Sequence, residues 1–256
     1  MRKVSRFIAV GLLIILGLFF GTVAFSQEAR VPPKDIDIST GESYFNSYKF
    51  QSGIKSYKML GTLAKEHSTI GQKATTFGFA AKSEEAKFFI IGVLYSETIA
   101  YLKSENLDLA AKRLESIEKE FINLRVPSSL YNFVTKACNL IQTNKYKPEV
   151  LGEFLSLFQP FYEDYTKTKG EDKLILFRAG SWLVDMSLTA AAGDKELLRQ
   201  KGTLDYFTKE MKRMDAPKGV MDALDEITKI SVKKEITDRD AKEVLNLVKK
   251  IQTILG

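Results

Sequence analysis

The chain has 256 residues, with 38 Lys and Arg, 32 Asp and Glu, one His and one Cys. A hydrophobic fraction of 45% with 11% aromatic residues predicts a packed core and argues against disorder. One cysteine excludes an intramolecular disulfide, and one histidine excludes a histidine-based metal site within one chain.

Residues 1–26 have the features of a signal peptide. Three basic residues lie in the first six positions, and residues 8–25 carry no charge. Ala24-Phe25-Ser26 places small residues at both positions that signal peptidase reads, so we expect cleavage before Gln27 and a periplasmic or extracellular protein. The alternative is an uncleaved membrane anchor, since the uncharged run reaches the ~18 residues needed to cross a bilayer. Membrane contact is expected only through this leader.

Without the leader, the chain keeps 35 basic and 32 acidic residues. This nearly balanced surface charge argues against a nucleic-acid partner. Residues 27–38 include Pro32-Pro33 and predict an extended leader. Residues 39–82 predict an N-terminal helical segment that begins with a capping box formed by Ser39 and Glu42. The helical pattern is lost over residues 67–82.

Two later segments, residues 83–170 and 171–256, have the same order of features. Their first helices carry the pairs Phe89 and Phe177, Gly92 and Gly180, and Glu97 and Asp185, each 88 positions apart. A two-residue insertion then aligns Pro127 with Pro217. We therefore predict a tandem duplication.

The predicted fold is all-α, with two antiparallel units of about four helices each and an extra N-terminal helix. The arrangement would be a helical bundle or solenoid-like. In the first unit the helices are expected at 83–104, 107–124 and 128–142, followed by one that starts at Pro148 and is kinked or ended by Pro160. In the second unit, one helix holding Leu197 and Leu198 continues to Met214, and the last spans 238–255. Gly92 and Gly180 are expected to allow close helix approach.

Glu97 and Asp185 are matched acids within the apolar stretches of the first helices and have two interpretations. They could face each other across the duplication and bind a cation or share a proton. The favoured interpretation is that both are surface acids, either solvated or salt-bridged, with Arg178 as a possible partner of Asp185.

Trp182 and Tyr95, together with Glu97 and Asp185, are the candidate residues for a binding groove. Aromatic residues at helical spacing are more often core, and this is the default interpretation. Cys138 is expected to be a buried, unreactive thiol. No residue is predicted to be catalytic, to ligate a metal or to bind a cofactor.

Three functions follow from these features. The first is an exported, non-enzymatic helical protein that binds an unknown protein partner or serves as an envelope scaffold. The second is a carrier of a small molecule or lipid, with a groove between the two units. The third, an enzyme that uses Glu97 and Asp185, has the least support because the sequence shows no catalytic constellation.

Overall fold

The computed structural model describes residues 46–55, 57–67 and 83–256. All regular elements within these ranges are helices, which confirms the all-α class. The predictions for the signal peptide, for residues 27–38 and for the Ser39 capping box lie outside the described residues.

The described helices are α1 (Ser47–Ser52), α2 (Leu60–His67), α3 (Glu84–Lys103), α4 (Leu107–Leu124), α5 (Ser128–Gln142), α6 (Pro148–Ser156), α7 (Phe158–Lys169), α8 (Glu171–Ala191), α9 (Lys201–Arg213), α10 (Lys218–Ser231) and α11 (Asp238–Leu255). A 3₁₀ turn, Tyr57–Met59, precedes α2. The predicted cap of α3 is observed, because the Ser83 side chain accepts the amide of Ala86 at the start of this helix.

Helices α3 and α8 form the centre of the molecule and run parallel. Their contacts advance together along both helices, from Glu85 with Lys173 to Ser96 with Asp185. They approach closely where Gly92 and Gly180 lie. A Cβ at Gly92 would be 2.0 Å from the Phe177 carbonyl oxygen, and a Cβ at Gly180 would be 2.2 Å from that of Phe89. The contact is reciprocal, as expected for two helices related by an approximate two-fold axis.

The remaining helices pack around this pair as two units. In the first unit the order of neighbours is α3, α4, α5, α6 and back to α3. In the second unit it is α8, α9, α10, α11 and back to α8. Helix α1 packs against α3, α6 and α8, so it contacts both units. The units therefore lie side by side, joined through their first helices.

The ends of the central helices match as the sequence alignment predicts. The backbone is left-handed at Glu105 after α3 (φ 60°) and at Gly193 after α8 (φ 67°), which are 88 positions apart. The next residues, Asn106 and Asp194, each accept the amide three positions further on. Pro127 and Pro217 likewise precede α5 and α10 with nearly the same backbone angles. The common origin of the units stays a prediction.

Two predicted helices differ from the structure. The helix that starts at Pro148 is two helices, α6 and α7, which meet at Leu157. Pro160 explains the break, because its ring clashes with the carbonyl four residues earlier, at Ser156, where α6 ends. In the second unit, Leu197 and Leu198 are buried in the turn before α9, which begins only at Lys201.

The central helices are buried on all sides. Residues 91–102 of α3 and 174–190 of α8 are buried without interruption. Among the described helices, α8 alone is long and apolar enough to cross a bilayer, and 94% of that apolar stretch is buried inside the protein. This burial is the property of a central core helix.

Candidate functional site

The carboxylate of Asp185 lies in the middle of α8 and is 0% exposed. It accepts three hydrogen bonds from uncharged side chains. Ser47 Oγ donates to Oδ2 at 2.8 Å, while Gln51 Nε2 and Ser96 Oγ donate to Oδ1 at 2.7 and 2.6 Å. Within the described residues, no cationic side chain forms an ion pair with Asp185. A buried carboxylate without a cation is costly, and these donors offset part of that cost.

Helix α1 supplies two of the three donors. Its Asn46 cap accepts the amide of Lys49, and this turn places Ser47 and Gln51, four residues apart, on the face towards Asp185. Ser47 Oγ also lies 2.6 Å from Ser181 Oγ, and Gln51 Nε2 also reaches the Ser96 carbonyl at 3.0 Å. The network therefore joins α1, α3 and α8.

Burial dominates the electrostatics of this network. Desolvation raises the pKa of Asp185 to about 7, although the hydrogen bonds from Ser96, Gln51 and Ser47 and the charge of Lys103 act in the opposite direction. Desolvation also lowers the pKa of Lys103 to about 8. The Lys103 ammonium is not in contact with Asp185, because Nζ donates to Ser52 Oγ at 2.6 Å.

Glu97, the counterpart of Asp185, has a different partner. It is 2% exposed and pairs with Arg113 of α4 at 2.5 Å. The prediction that both acids are on the surface is wrong, because α3 and α8 are enclosed by other helices on every side. The pairing of Asp185 with Arg178 is also wrong, since Arg178 binds Glu163 of α7. Glu97 and Asp185 have separate sets of partners, and the described residues contain no cluster of three metal-ligating side chains.

The aromatic candidates Trp182 and Tyr95 are core side chains. Trp182 Nε1 donates to Gln200 Oε1 at 3.1 Å, and the indole stacks on Phe207 at 4.7 Å between ring centroids. The Tyr95 hydroxyl donates to the Leu155 carbonyl at 3.2 Å. Both are buried, so neither lines a groove between the units.

Cys138 on α5 is buried, as predicted. Burial raises the pKa of its thiol to about 11. The reactive thiolate is therefore scarce at neutral pH.

Two clefts on the described surface are candidates for a ligand site. One, of about 140 Å³, has an apolar floor that includes Leu176, Met211 and Leu255 and a charged rim that includes Glu85 and Lys173. It is smaller than the ~300–1,000 Å³ typical of ligand pockets. The other, of about 500 Å³, is a wide depression lined by polar side chains of α5 and the following turn.

A surface feature that the sequence reasoning missed lies on α6 and α7. Five apolar or aromatic residues recur there at steps of four, three, four and four, and we call them the outer stripe: Val150, Phe154, Leu157, Phe161 and Tyr165. Leu157 and Phe161 are 58% and 61% exposed. Leu157 keeps right-handed helical angles at the junction, so the stripe continues from α6 into α7.

The aromatic rings beneath the outer stripe hold it in place. Phe154 stacks on Phe133 of α5 with ring centroids 4.4 Å apart. Tyr165 packs against the buried Tyr162 at 5.9 Å. The side chains of Leu157 and Phe161 thus project from a rigid, well-packed support.

No protein-family model, curated protein or solved structure matches this chain. Function must therefore be argued from the two sites described above. The four candidates from the sequence are interior residues, and the structure brings only Asp185 into the polar network. Its other members are Ser47, Gln51, Ser96 and Ser181. Ser96 and Ser181 could have been identified from the sequence, because each is a polar residue inside a long apolar helix.

Proposed function

We propose that this chain is an exported, non-enzymatic helical protein that binds a partner protein through the outer stripe. The observation that carries the proposal is the exposure of Leu157 and Phe161, one helical turn apart on a rigid surface. A leucine and a phenylalanine that are more than half exposed contribute little to folding. Adjacent exposed apolar side chains on a firm support are typical of an interaction site.

Charge on the same face favours one kind of partner. Glu153 is four residues before Leu157, and Asp164 is three residues after Phe161, so both acids lie along the outer stripe. Glu149 is exposed beside Val150. A complementary surface would be an amphipathic helix with an apolar face and basic residues at its borders. Lys147 and Lys169 lie at the two ends of the stripe, so the acids flank only its middle.

The second candidate function, a small-molecule or lipid carrier, has less support. Its expected groove was to be lined by Trp182, which instead packs in the core against Phe207. The apolar cleft at Leu176 and Met211 is small, as described above. We retain partner binding as the function that the geometry supports best.

Site-specific photo-crosslinking in the producing cell tests the proposal. Phe161→p-benzoylphenylalanine should give an adduct of one defined mass with another protein. Val232→p-benzoylphenylalanine is the matched control, because Val232 is 61% exposed on the second unit. Adding Leu157→Asp should abolish the adduct at position 161, whereas adding Val232→Asp should leave it unchanged.

Three results would overturn the proposal. An adduct of twice the monomer mass would identify a second copy of this chain as the occupant. The same set of adducts from positions 161 and 232 would indicate nonspecific contact. Absence of any adduct from position 161, in cells where the protein is exported and folded, would mean that the outer stripe has no protein partner.

A further inference from the structure

The docking of α1 combines polar contacts with apolar ones. The helix has only six residues, too few to be stable alone in water. Of its residues, Phe50 is the one apolar side chain that is fully buried. Two others, Ser47 and Gln51, are buried and point their polar groups at Asp185. The state of this carboxylate therefore bears directly on whether α1 stays docked.

We propose that α1 is a releasable strap whose docking is weakened when Asp185 carries its charge. The docked helix closes the Asp185 carboxylate off from water, and no cation is in contact with it within the described residues. Release of α1 would remove two donors and admit water to the charged group. This inference concerns the interior network and does not rest on partner binding at the outer stripe.

The charged and titratable groups around the strap come from several helices. Lys103 of α3 acts on Asp185 and is held at the strap by Ser52 and by the Tyr48 ring, whose centroid is 3.7 Å from Nζ. Glu149 and Glu153 of α6 act on Lys103 in turn. Tyr95 of α3 lies near Asp185 and Glu163, and Glu163 of α7 is paired with Arg178. After α8, Asp194 accepts the amide of Lys55, which follows α1. The Tyr95 hydroxyl stays neutral, because burial raises its pKa further above its ordinary value.

The direction of the pH effect follows from the two shifted groups. The pKa of Asp185 is about 7 when α1 is docked and about 4 for a hydrated aspartate. Between these values the docked form holds a proton that the released form has lost. Docking therefore weakens as the pH rises from 4 to 7, by up to about tenfold per pH unit.

Lys103 acts in the opposite direction at higher pH. Its pKa is about 8 in the folded chain and lies below the ordinary value of a lysine. Above pH 8 the docked form has lost a proton that a hydrated Lys103 would keep, so docking strengthens again. Docking of α1 is expected to be weakest between about pH 7 and 8.

Amide hydrogen exchange of the mature protein at pH 5, 6, 7 and 8 tests the strap. After correction for intrinsic exchange rates, the protection of the amides from Phe50 to Gly53 should fall about 10- to 100-fold between pH 5 and 7. The amide of Val248 in α11 is an internal reference whose protection should stay constant. Asp185→Asn keeps the shape of the side chain but cannot ionise. In this variant the protection of the α1 amides should not change with pH.

Two further variants keep the test decisive. Glu97→Gln is the matched control at the equivalent position of α3. Its α1 amides should show the same dependence of protection on pH as those of the wild type. Lys103→Met removes a charge that favours ionised Asp185, so the fall in protection should move to higher pH. A flat wild-type profile, or an unchanged profile in Asp185→Asn, would overturn the proposal. The wild-type measurement decides by itself if a variant fails to fold.

Discussion

Positions 97 and 185 are equivalent in two parallel central helices, yet the protein accommodates the two buried acids differently. Glu97 pairs with the guanidinium of Arg113, which remains 18% exposed. Asp185 is completely buried, and its donors among the described residues are hydroxyl and amide groups. The difference comes from the neighbouring helix, which is α4 at Glu97 and the short α1 at Asp185. An ion pair can hold a carboxylate in its charged form, whereas neutral donors leave its protonation open to pH.

The same contrast extends to the two units as a whole. The two units match at the crossing of Gly92 and Gly180 and at the turns after their first helices. These matched parts form the centre of the fold. The parts without a counterpart include α1 and α2, which contact both central helices, and the outer stripe on α6 and α7. Both proposals fall on these unmatched parts.

The reciprocal crossing should be intolerant of any side chain. Gly92→Ala and Gly180→Ala place a Cβ within 2.2 Å of a backbone carbonyl oxygen, so the helices must separate. We expect each to lower the free energy of unfolding by about 3 kcal/mol or more, because overpacking exceeds the ~1 kcal/mol gained in helix propensity. The Leu variants should be worse at both sites. Urea unfolding of each variant and of the wild type measures the change.

Gly219→Ala is the control for these glycines. Its added Cβ meets the side-chain ends of Ile254 at 2.9 Å and Lys250 at 3.8 Å and no backbone atom, so the free energy of unfolding should change by less than ~1 kcal/mol. Opposite signs for Gly92→Ala and Gly180→Ala would contradict the equivalence of the two helices.

Trp182 has a leucine, Leu94, at the equivalent position of the first unit. Trp182→Leu removes the ring stacked on Phe207 and leaves Gln200 Oε1 without its indole donor. We expect a loss of about 2–4 kcal/mol in the free energy of unfolding. Trp182→Phe keeps an aromatic ring and should cost about 1–2 kcal/mol. If the Leu variant were as stable as the wild type, the indole would have no role in specifying the second unit.

Replacing each of the two acids by its amide should change the free energy of unfolding in opposite directions at pH 8. Glu97→Gln takes a charged partner from Arg113, and we expect it to lower the free energy of unfolding by about 1–2 kcal/mol. Asp185→Asn removes a charge that is buried without an ion pair, so stability at pH 8 should be equal to or above that of the wild type. Thermal unfolding at fixed pH and salt measures both. A loss from Asp185→Asn as large as that from Glu97→Gln would contradict the distinction between the two sites.

The smallest effect concerns the thiol. The alignment places Cys138 of α5 opposite Thr228 of α10, which is less buried. Iodoacetamide at pH 8 should label Cys138 at least tenfold more slowly in the native protein than in urea, since burial raises the pKa of the thiol to about 11. The double variant Cys138→Ala, Thr228→Cys should react faster under native conditions. Equal native rates would mean that these positions do not differ in access.

Much of the fold could be predicted from the sequence because the signals are local. Helix periodicity predicted α4, α5 and α11 with the bounds that the structure shows. A serine cap predicted the start of α3 at Glu84. The close approach at Gly92 and Gly180 was predicted because a repeated glycine inside an apolar helix has a cost that only packing explains. The split at Pro160 was foreseen as a kink, and its position follows from the clash with Ser156.

The sites were decided by the tertiary structure. Sequence periodicity assigns a buried face and an exposed face to each helix, but α3 and α8 have no exposed face because they lie at the centre of the molecule. This is why Glu97 and Asp185 were assigned to the surface. The donors to Asp185 come from residues 47 and 51, more than 130 positions away, and no local pattern connects them to it. The exposure of Leu157 and Phe161 likewise depends on which helices are absent beside α6 and α7, a property of the assembled chain.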